Sequence, residues 1–250
     1  QCQHKNSEQY QLLTQTLITD TDHRHWGGIM IITKKRDLKD LMENVKTYNS
    51  FFLIGCSECA TLCGTGGDPE LKAMKEALEA EGKSVTGTFV AKTGCQVLGT
   101  KVELKPFKEA MDKTDCIIVM SCGAGTQTAV DLYEDKAVFA SNDSLFLGNM
   151  TRLQIFDERC SLCGKCILDK TGGICPITAC PKGILNGPCG GCKDGNCEVS
   201  PAIKCAWVRI YERMKKLDKL QELCEVTLEA KDWSASQKPR ALTAREEKKK

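Results

Sequence analysis

The chain has 250 residues, 41% of them hydrophobic, with 35 Lys and Arg against 33 Asp and Glu for a formal net charge of +2. That is the composition of one or two folded domains; it offers no concentrated basic face for nucleic acid, and its longest apolar runs, around Phe51 to Ile54 and Ile117 to Met120, fall far short of the ~20 residues of a membrane span. Seventeen cysteines stand against three histidines, His4, His23 and His25, so a metal held anywhere beyond Met30 must rest on thiolates or, occasionally, on a carboxylate.

Residues 1–29 are polar, lack a sustained apolar period and contain every histidine. Their composition suits a disordered leader. Trp26-Gly27-Gly28 would also be encoded by a G-rich stretch where a bacterial ribosome-binding site sits, which favours a native product beginning at Met30. From Ile31 the pattern becomes globular. Leu38, Leu41, Met42 and Val45 predict a helix within Lys34–Asn49, and Phe51–Gly55 a buried strand. After a loop carrying Cys56, Cys59 and Cys63, Asp68 is the expected cap of a helix with Pro69 at its first position and Gly82 at its end. Strand Ser84–Ala91 leads into Thr93-Gly94-Cys95, helix Pro106–Lys113 into strand Cys116–Met120, and helix Gln127–Tyr133 into strand Ala137–Ala140. Strands alternating with helices imply parallel β-α-β units with right-handed crossovers, an α/β domain over residues 30–150.

Open parallel sheets bind ligands at the carboxyl ends of their strands, and Cys56, Cys95 and Cys122 each follow a predicted strand. Cys56, Cys59 and Cys63 form a three-thiolate loop that needs a fourth ligand, Cys122 or Cys95. Cys122 is preferred because Gly123 and Gly125 permit close backbone approach. The duller reading makes Cys95 and Cys122 inert buried thiols, as Cys116 is within its strand. Glycine-rich turns at Gly64–Gly67 and Gly123–Gly125 precede helices, where N–H groups could hold phosphate. Neither completes a dinucleotide fingerprint or a P-loop, so they are read as turns hugging a metal centre.

The densest chemistry lies at residues 160–205, where nine of the seventeen cysteines fall in 46 positions. Cys160, Cys163 and Cys166 have the spacing that brings three thiolates of one loop to one centre. Cys175-Pro176 and Cys180-Pro181 follow, then Cys189, Cys192, Cys197 and Cys205. This is the ligand grammar of [4Fe-4S] proteins, with a longer gap to the Cys-Pro than in bacterial ferredoxins. Four-thiolate zinc is the alternative. A disulfide framework fits poorly with an odd cysteine count, a chain this long and no secretion signal. One centre is expected on Cys56, Cys59, Cys63 and Cys122; a second on Cys160, Cys163 and Cys166, with its fourth ligand among Cys175, Cys180, Cys189, Cys192, Cys197 and Cys205. The fold class is thus a parallel β-α-β domain, a cysteine-rich metal-binding domain (151–206) and a C-terminal amphipathic helix (207–230) bearing Trp207, Ile210, Met214 and Leu217, then a flexible tail (231–250). Two metal regions suggest a relay. Thiol abundance without a secretion signal suggests a reducing cytoplasm.

GCSECATLCGTGGDPE (Gly55 to Glu70), SCGAGTQT (Ser121 to Thr128), RCSLCGKC and LNGPCGGCKDGNCEV with CAW (Leu185 to Val199, Cys205 to Trp207) resemble the methylenetetrahydrofolate reductase C-terminal domain family. Its members include the cysteine-rich small subunit that accompanies the flavin-bearing catalytic subunit in acetogenic bacteria. The likeness covers roughly residues 30–226. It implies that folate reduction occurs on the partner, which carries the FMN, while this chain is a non-catalytic subunit of the oxidoreductase. Two or more [4Fe-4S] clusters would take electrons from ferredoxin or another electron-transfer complex. Family members include both iron–sulfur and zinc proteins, so a zinc-binding structural or scaffolding subunit is the alternative. The residues agree on catalysis: beyond Met30 there is no histidine, no complete flavin or nicotinamide motif and no defensible Ser-His-Asp or paired-acid set.

Overall fold

The computed structural model describes residues 30–225 and 227–242; the expectation for residues 1–29 lies outside them. The elements in order are β1 (Ile31–Lys35), α1 (Leu38–Asn44), β2 (Ser50–Cys56), α2 (Cys59–Leu62), α3 (Asp68–Ala80), β3 (Ser84–Ala91), α4 (Val97–Leu104), α5 (Lys108–Asp112), β4 (Cys116–Met120), α6 (Gly123–Leu132) and β5 (Ala137–Ala140). A hairpin of β6 (Asn142–Arg152) and β7 (Ile155–Cys160) follows. Four strands form a parallel sheet in the order β3-β2-β4-β5, so the expected parallel α/β arrangement is present.

Its centre follows from side-chain alternation. In β2, Phe51 and Leu53 join Leu41, Val45, Leu71 and Leu78 on one face, with Cys116, Ile118 and Met120 of β4. Phe52 and Ile54 join Ile117 and Val119 on the other, against Leu104, Met111 and Ala129. Both strands therefore read as continuous apolar runs, the signature of a parallel sheet covered on both faces.

Several boundaries differ from the sequence reading. Lys34 lies in β1, and the first helix starts only at Leu38, where the Asp37 carboxylate accepts from the Lys39 N–H at 2.8 Å. The N-cap of α3 is Gly67 rather than Asp68: the Glu70 carboxylate reaches back to the Gly67 N–H at 3.0 Å, and Asp68 is the first helical residue. The helical pattern at Pro106–Lys113 is preceded by a separate helix, α4, and α6 begins at Gly123 rather than Gln127. The largest addition is a second sheet, β1-β6-β7, which is antiparallel. β1 lies far in sequence from its partner, with Ile31 opposite Leu147, so no local pattern reveals that pairing; β6 and β7 form the hairpin, with Leu147 opposite Cys160.

Asn142, only 3% exposed, joins the two sheets. Its side-chain amide donates to the Thr65 carbonyl at 3.2 Å and to the Ser121 carbonyl at 3.3 Å. Thr33 of β1 and Thr65 share a hydroxyl hydrogen bond of 2.7 Å beside it. The loops leaving β2 and β4 are thereby tied to each other and to β6.

Beyond β7 come α7 (Pro176–Ala179), β8 (Asn196–Cys197), β9 (Ser200–Lys204), α8 (Ala206–Lys216) and α9 (Leu220–Glu225). Trp207, Ile210 and Met214 of α8 are buried against Ile174, Leu220 and Leu223, and the Trp207 indole donates to the Ile184 carbonyl at 2.8 Å. Further on, Lys231 donates to the Lys165 carbonyl and Arg240 to the Leu162 carbonyl, so this stretch lies across the loop that begins at Cys160. Among the described residues no helix is long and apolar enough to cross a membrane.

Replacing Asn142 by Ala removes a buried donor shared by two carbonyls. A loss of about 1–3 kcal/mol is expected in urea unfolding, and an unchanged midpoint would show that the amide does not join the loops.

Candidate metal centres

The strand-end crevice is set by register. Gly55 of β2 pairs with Met120 of β4, and Cys56 pairs with Ala91 of β3, so three parallel strands end at one level. Each chain exit then delivers a thiol. Cys56 ends β2, Cys95 lies just beyond β3, and Cys122 is the N-cap of α6 immediately beyond β4.

Backbone contacts hold these exits together. The Gly94 N–H donates to Cys56 Sγ at 3.4 Å, which brings the Cys95 loop against the end of β2. A Cβ placed on Gly125 would stand 3.5 Å from the Gly94 carbonyl carbon, so the same loop also abuts the helix that Cys122 opens. Cys59, the first residue of α2, accepts the Ile31 N–H on its sulfur at 3.3 Å. The loop beyond Cys63 crosses the end of β4 so closely that a Cβ on Gly66 would fall 1.7 Å from the Met120 carbonyl oxygen; only glycine fits there.

The thiols also act on one another. Burial pushes the Cys56 thiol up, with Cys122 and Cys95 adding to the rise and the Gly94 N–H opposing it. Burial likewise raises Cys59, with Cys122 and Cys56 contributing. Cys95 is raised by burial and then by Cys122. Cys63 caps the opposite end of α2, where its N–H bonds the Cys59 carbonyl at 3.0 Å and the chain turns away at Gly64, φ +64°. Thus Cys56, Cys59, Cys95 and Cys122 influence one another's ionisation around the strand ends. The signal for Cys95 was its place after a strand, which it shares with Cys56 and Cys122.

The glycine-rich helix starts are engaged from within the chain. The Gly67 N–H is bonded by Glu70, and the Gly123 N–H donates to Ser144 Oγ at 2.9 Å.

In the denser region, Cys160 ends β7 and its sulfur accepts the Leu162 N–H at 3.3 Å, while the Cys163 thiol stands 3.8 Å from the Lys165 carbonyl oxygen. A 3.0 Å hydrogen bond between the Ser161 and Thr178 hydroxyls sets the loop that runs through Cys166 against α7. Cys175 precedes that helix and Cys180 follows it. Burial pushes the Cys192 thiol up, with Cys205 and Cys189 adding to the rise. The Cys189 thiol also lies 4.0 Å from Glu198, whose carboxylate is ion-paired with Lys182. Cys197 lies in β8, between these residues and β9.

Residues 139–234 match the family model described as methylene-tetrahydrofolate reductase C terminal. The matched stretch starts in β5 and takes in every cysteine from Cys160 to Cys224, whereas the strand-end crevice precedes it. The chain matches no curated protein and no solved structure.

Among the described residues, no group of three or more His, Cys, Asp or Glu side chains is arranged to hold a metal ion, and no disulfide joins the described cysteines. The donor chemistry nevertheless fits thiolate-ligated centres. Cysteines leave separate loops at the strand ends without a histidine beside them, and thiolate sulfur is the donor used by iron–sulfur clusters and by structural zinc.

Cys116 is different. It is fully buried at the start of β4, and burial, with Asp115 adding and Lys83 opposing, pushes its thiol up to about 12. The unfolded thiol ionises near 9, so the stability associated with burying it neutral is complete below that pH and declines as pH rises toward about 12. Iodoacetamide at mildly alkaline pH is expected to leave Cys116 unmodified in the folded chain. Modification as rapid as at exposed Cys224 would contradict its placement.

Proposed function

We propose that this chain is an iron–sulfur electron-transfer subunit of a methylenetetrahydrofolate reductase, located in the cytoplasm. The observation that carries the reading is that the family match spans the whole cysteine-dense stretch from Cys160 to Cys205. The partner would be the flavin-bearing catalytic subunit, and the donor ferredoxin or another electron-transfer complex. Two electrons passed singly, with two protons, would reduce the partner's FMN, which in turn reduces methylenetetrahydrofolate to methyltetrahydrofolate. A bound [4Fe-4S] cluster supplies one-electron transfer at a potential set by its sulfur hydrogen bonds and burial.

This chain's own residues suit that task in three ways. Cysteines gathered from separate loops provide thiolate ligands. The Ile31 and Gly94 N–H groups donate to Cys59 and Cys56 sulfurs, which favours a more negatively charged, reduced state of whatever those sulfurs bind. The antiparallel sheet also sets a spacing: Ile31 faces Leu147, and Leu147 faces Cys160. Two strand intervals, about 10 Å, separate the backbone touching Cys59 from the backbone of Cys160, the first cysteine of the denser region. That proximity suits a relay between two cysteine groups.

Anaerobically purified chain is expected to contain iron with matching acid-labile sulfide and a visible absorbance bleached by dithionite. Colourless protein with stoichiometric zinc, still without iron after reconstitution with iron and sulfide, would instead establish the structural zinc reading. Cys163→Ala is expected to lose about four iron per chain and to slow reduction of the partner's flavin. Unchanged iron and flavin reduction would remove Cys163 from the ligand set.

A further inference from the structure

We propose that the cavity between the Leu185–Pro188 loop and α8 binds a flat heteroaromatic molecule. The proposal needs no metal in the chain and stands apart from the electron-transfer reading.

The run Leu185-Asn186-Gly187-Pro188 directly precedes Cys189, and none of the thiol chemistry uses it. All four residues line one cavity of about 540 Å³, a size within the range of small-molecule sites. Gly187 takes φ +77°, a left-handed bend that favours glycine. From α8 the lining takes Trp207, Val208 and Tyr211, and Leu223 and Leu228 complete its apolar part.

The hydrogen-bonding groups of the inner wall are used within the chain. The Asn186 side chain donates to the Leu228 carbonyl and accepts the Leu228 N–H, both at 2.7 Å. The Trp207 indole donates to the Ile184 carbonyl, and the Thr171 hydroxyl, on a residue 1% exposed, donates to the Ile167 carbonyl at 3.2 Å. Asn186 and Leu228 are 42 positions apart, so their paired bonds hold the loop against the segment beyond α9 and keep the cavity formed in the absence of a ligand.

What remains for a ligand is apolar surface inside and polar groups near the mouth. Trp207 and Tyr211 lie one helical turn apart and share a face of α8. Trp207 is 6% exposed and Tyr211 46%, which places one ring deep and the other toward solvent. Ring faces reward a flat partner through stacking. Lys170, Glu212 and Thr227 are exposed lining residues and offer a cation, a carboxylate and a hydroxyl to polar substituents. A sugar would meet too few free hydrogen-bonding groups on the inner wall, and an aliphatic chain would leave the polar mouth unused. A heteroaromatic ring system engages both.

The test is equilibrium dialysis of the anaerobically purified full chain against lumiflavin and against 6-methylpterin, the bare ring systems of the flavin and the folate in the proposed reaction. Saturable binding of at least one probe, one molecule per chain, is expected. Lumiflavin alone identifies a flavin as the source of the ring, 6-methylpterin alone a folate, and binding of both shows that ring shape is what the cavity reads. Tyr211→Ala is expected to weaken binding about threefold to tenfold, the loss of one ring contact. Val208→Trp, which fills the space, is expected to abolish it, with folding checked by circular dichroism; if that variant misfolds, Tyr211→Ala decides. No saturable binding of either probe, or wild-type affinity in Tyr211→Ala, overturns the proposal. Iron and sulfide counted on the same samples report on the electron-transfer reading, so each can fail without the other.

Discussion

The structure depends on burying β2 and β4 side by side with apolar cover on both faces. Phe51, Phe52, Leu53, Ile117 and Ile118 are fully buried, and each such side chain contributes about 1.5–3 kcal/mol relative to exposure, set against the entropy of ordering the chain. Because the strands are parallel, they reach their carboxyl ends together and release their loops on one side. Cys56 and Cys122 stand at those exits. The same packing that stabilises the domain therefore brings thiols from distant parts of the sequence into one crevice.

Polar contacts refine what the apolar core makes possible. Asn142 and the Thr33–Thr65 pair tie the exits of β2 and β4 to the antiparallel sheet. That sheet also joins the first residues of the fold to β7, where the dense cysteine region begins. The order of the sheets thus connects the strand-end crevice with the family-matched stretch. Their proximity follows from strand pairing and needs no flexible linker.

The region from Cys160 to Cys205 obeys a different economy of forces. Its buried residues are Thr171 and Pro176, with the Trp207 cluster of α8 beside it. Apolar burial this sparse gives loops little intrinsic stability. Thiolate–metal bonds stabilise such segments directly, because ligands dispersed in the unfolded chain are collected only on folding.

The sequence by itself determined the parallel strands Ser84–Ala91, Cys116–Met120 and Ala137–Ala140, since apolar runs bounded by turn residues are local signals. It also determined that cysteine dominates the chemistry beyond Met30 and that Cys56 and Cys122 follow strands. Tertiary structure alone decided that Lys34 extends β1, because a strand stabilised by pairing with residues more than a hundred positions away leaves no local period. It likewise decided which loops lie side by side. Cys63 is close to Cys59 along the chain, whereas the loop that carries Cys95 is brought against the end of β2 by strand register and by the fit of Gly94 between β2 and α6. Sequence spacing measures separation along one loop, whereas the crevice is assembled from three, and only the hydrogen-bonded order of the strands brings their ends to the same place.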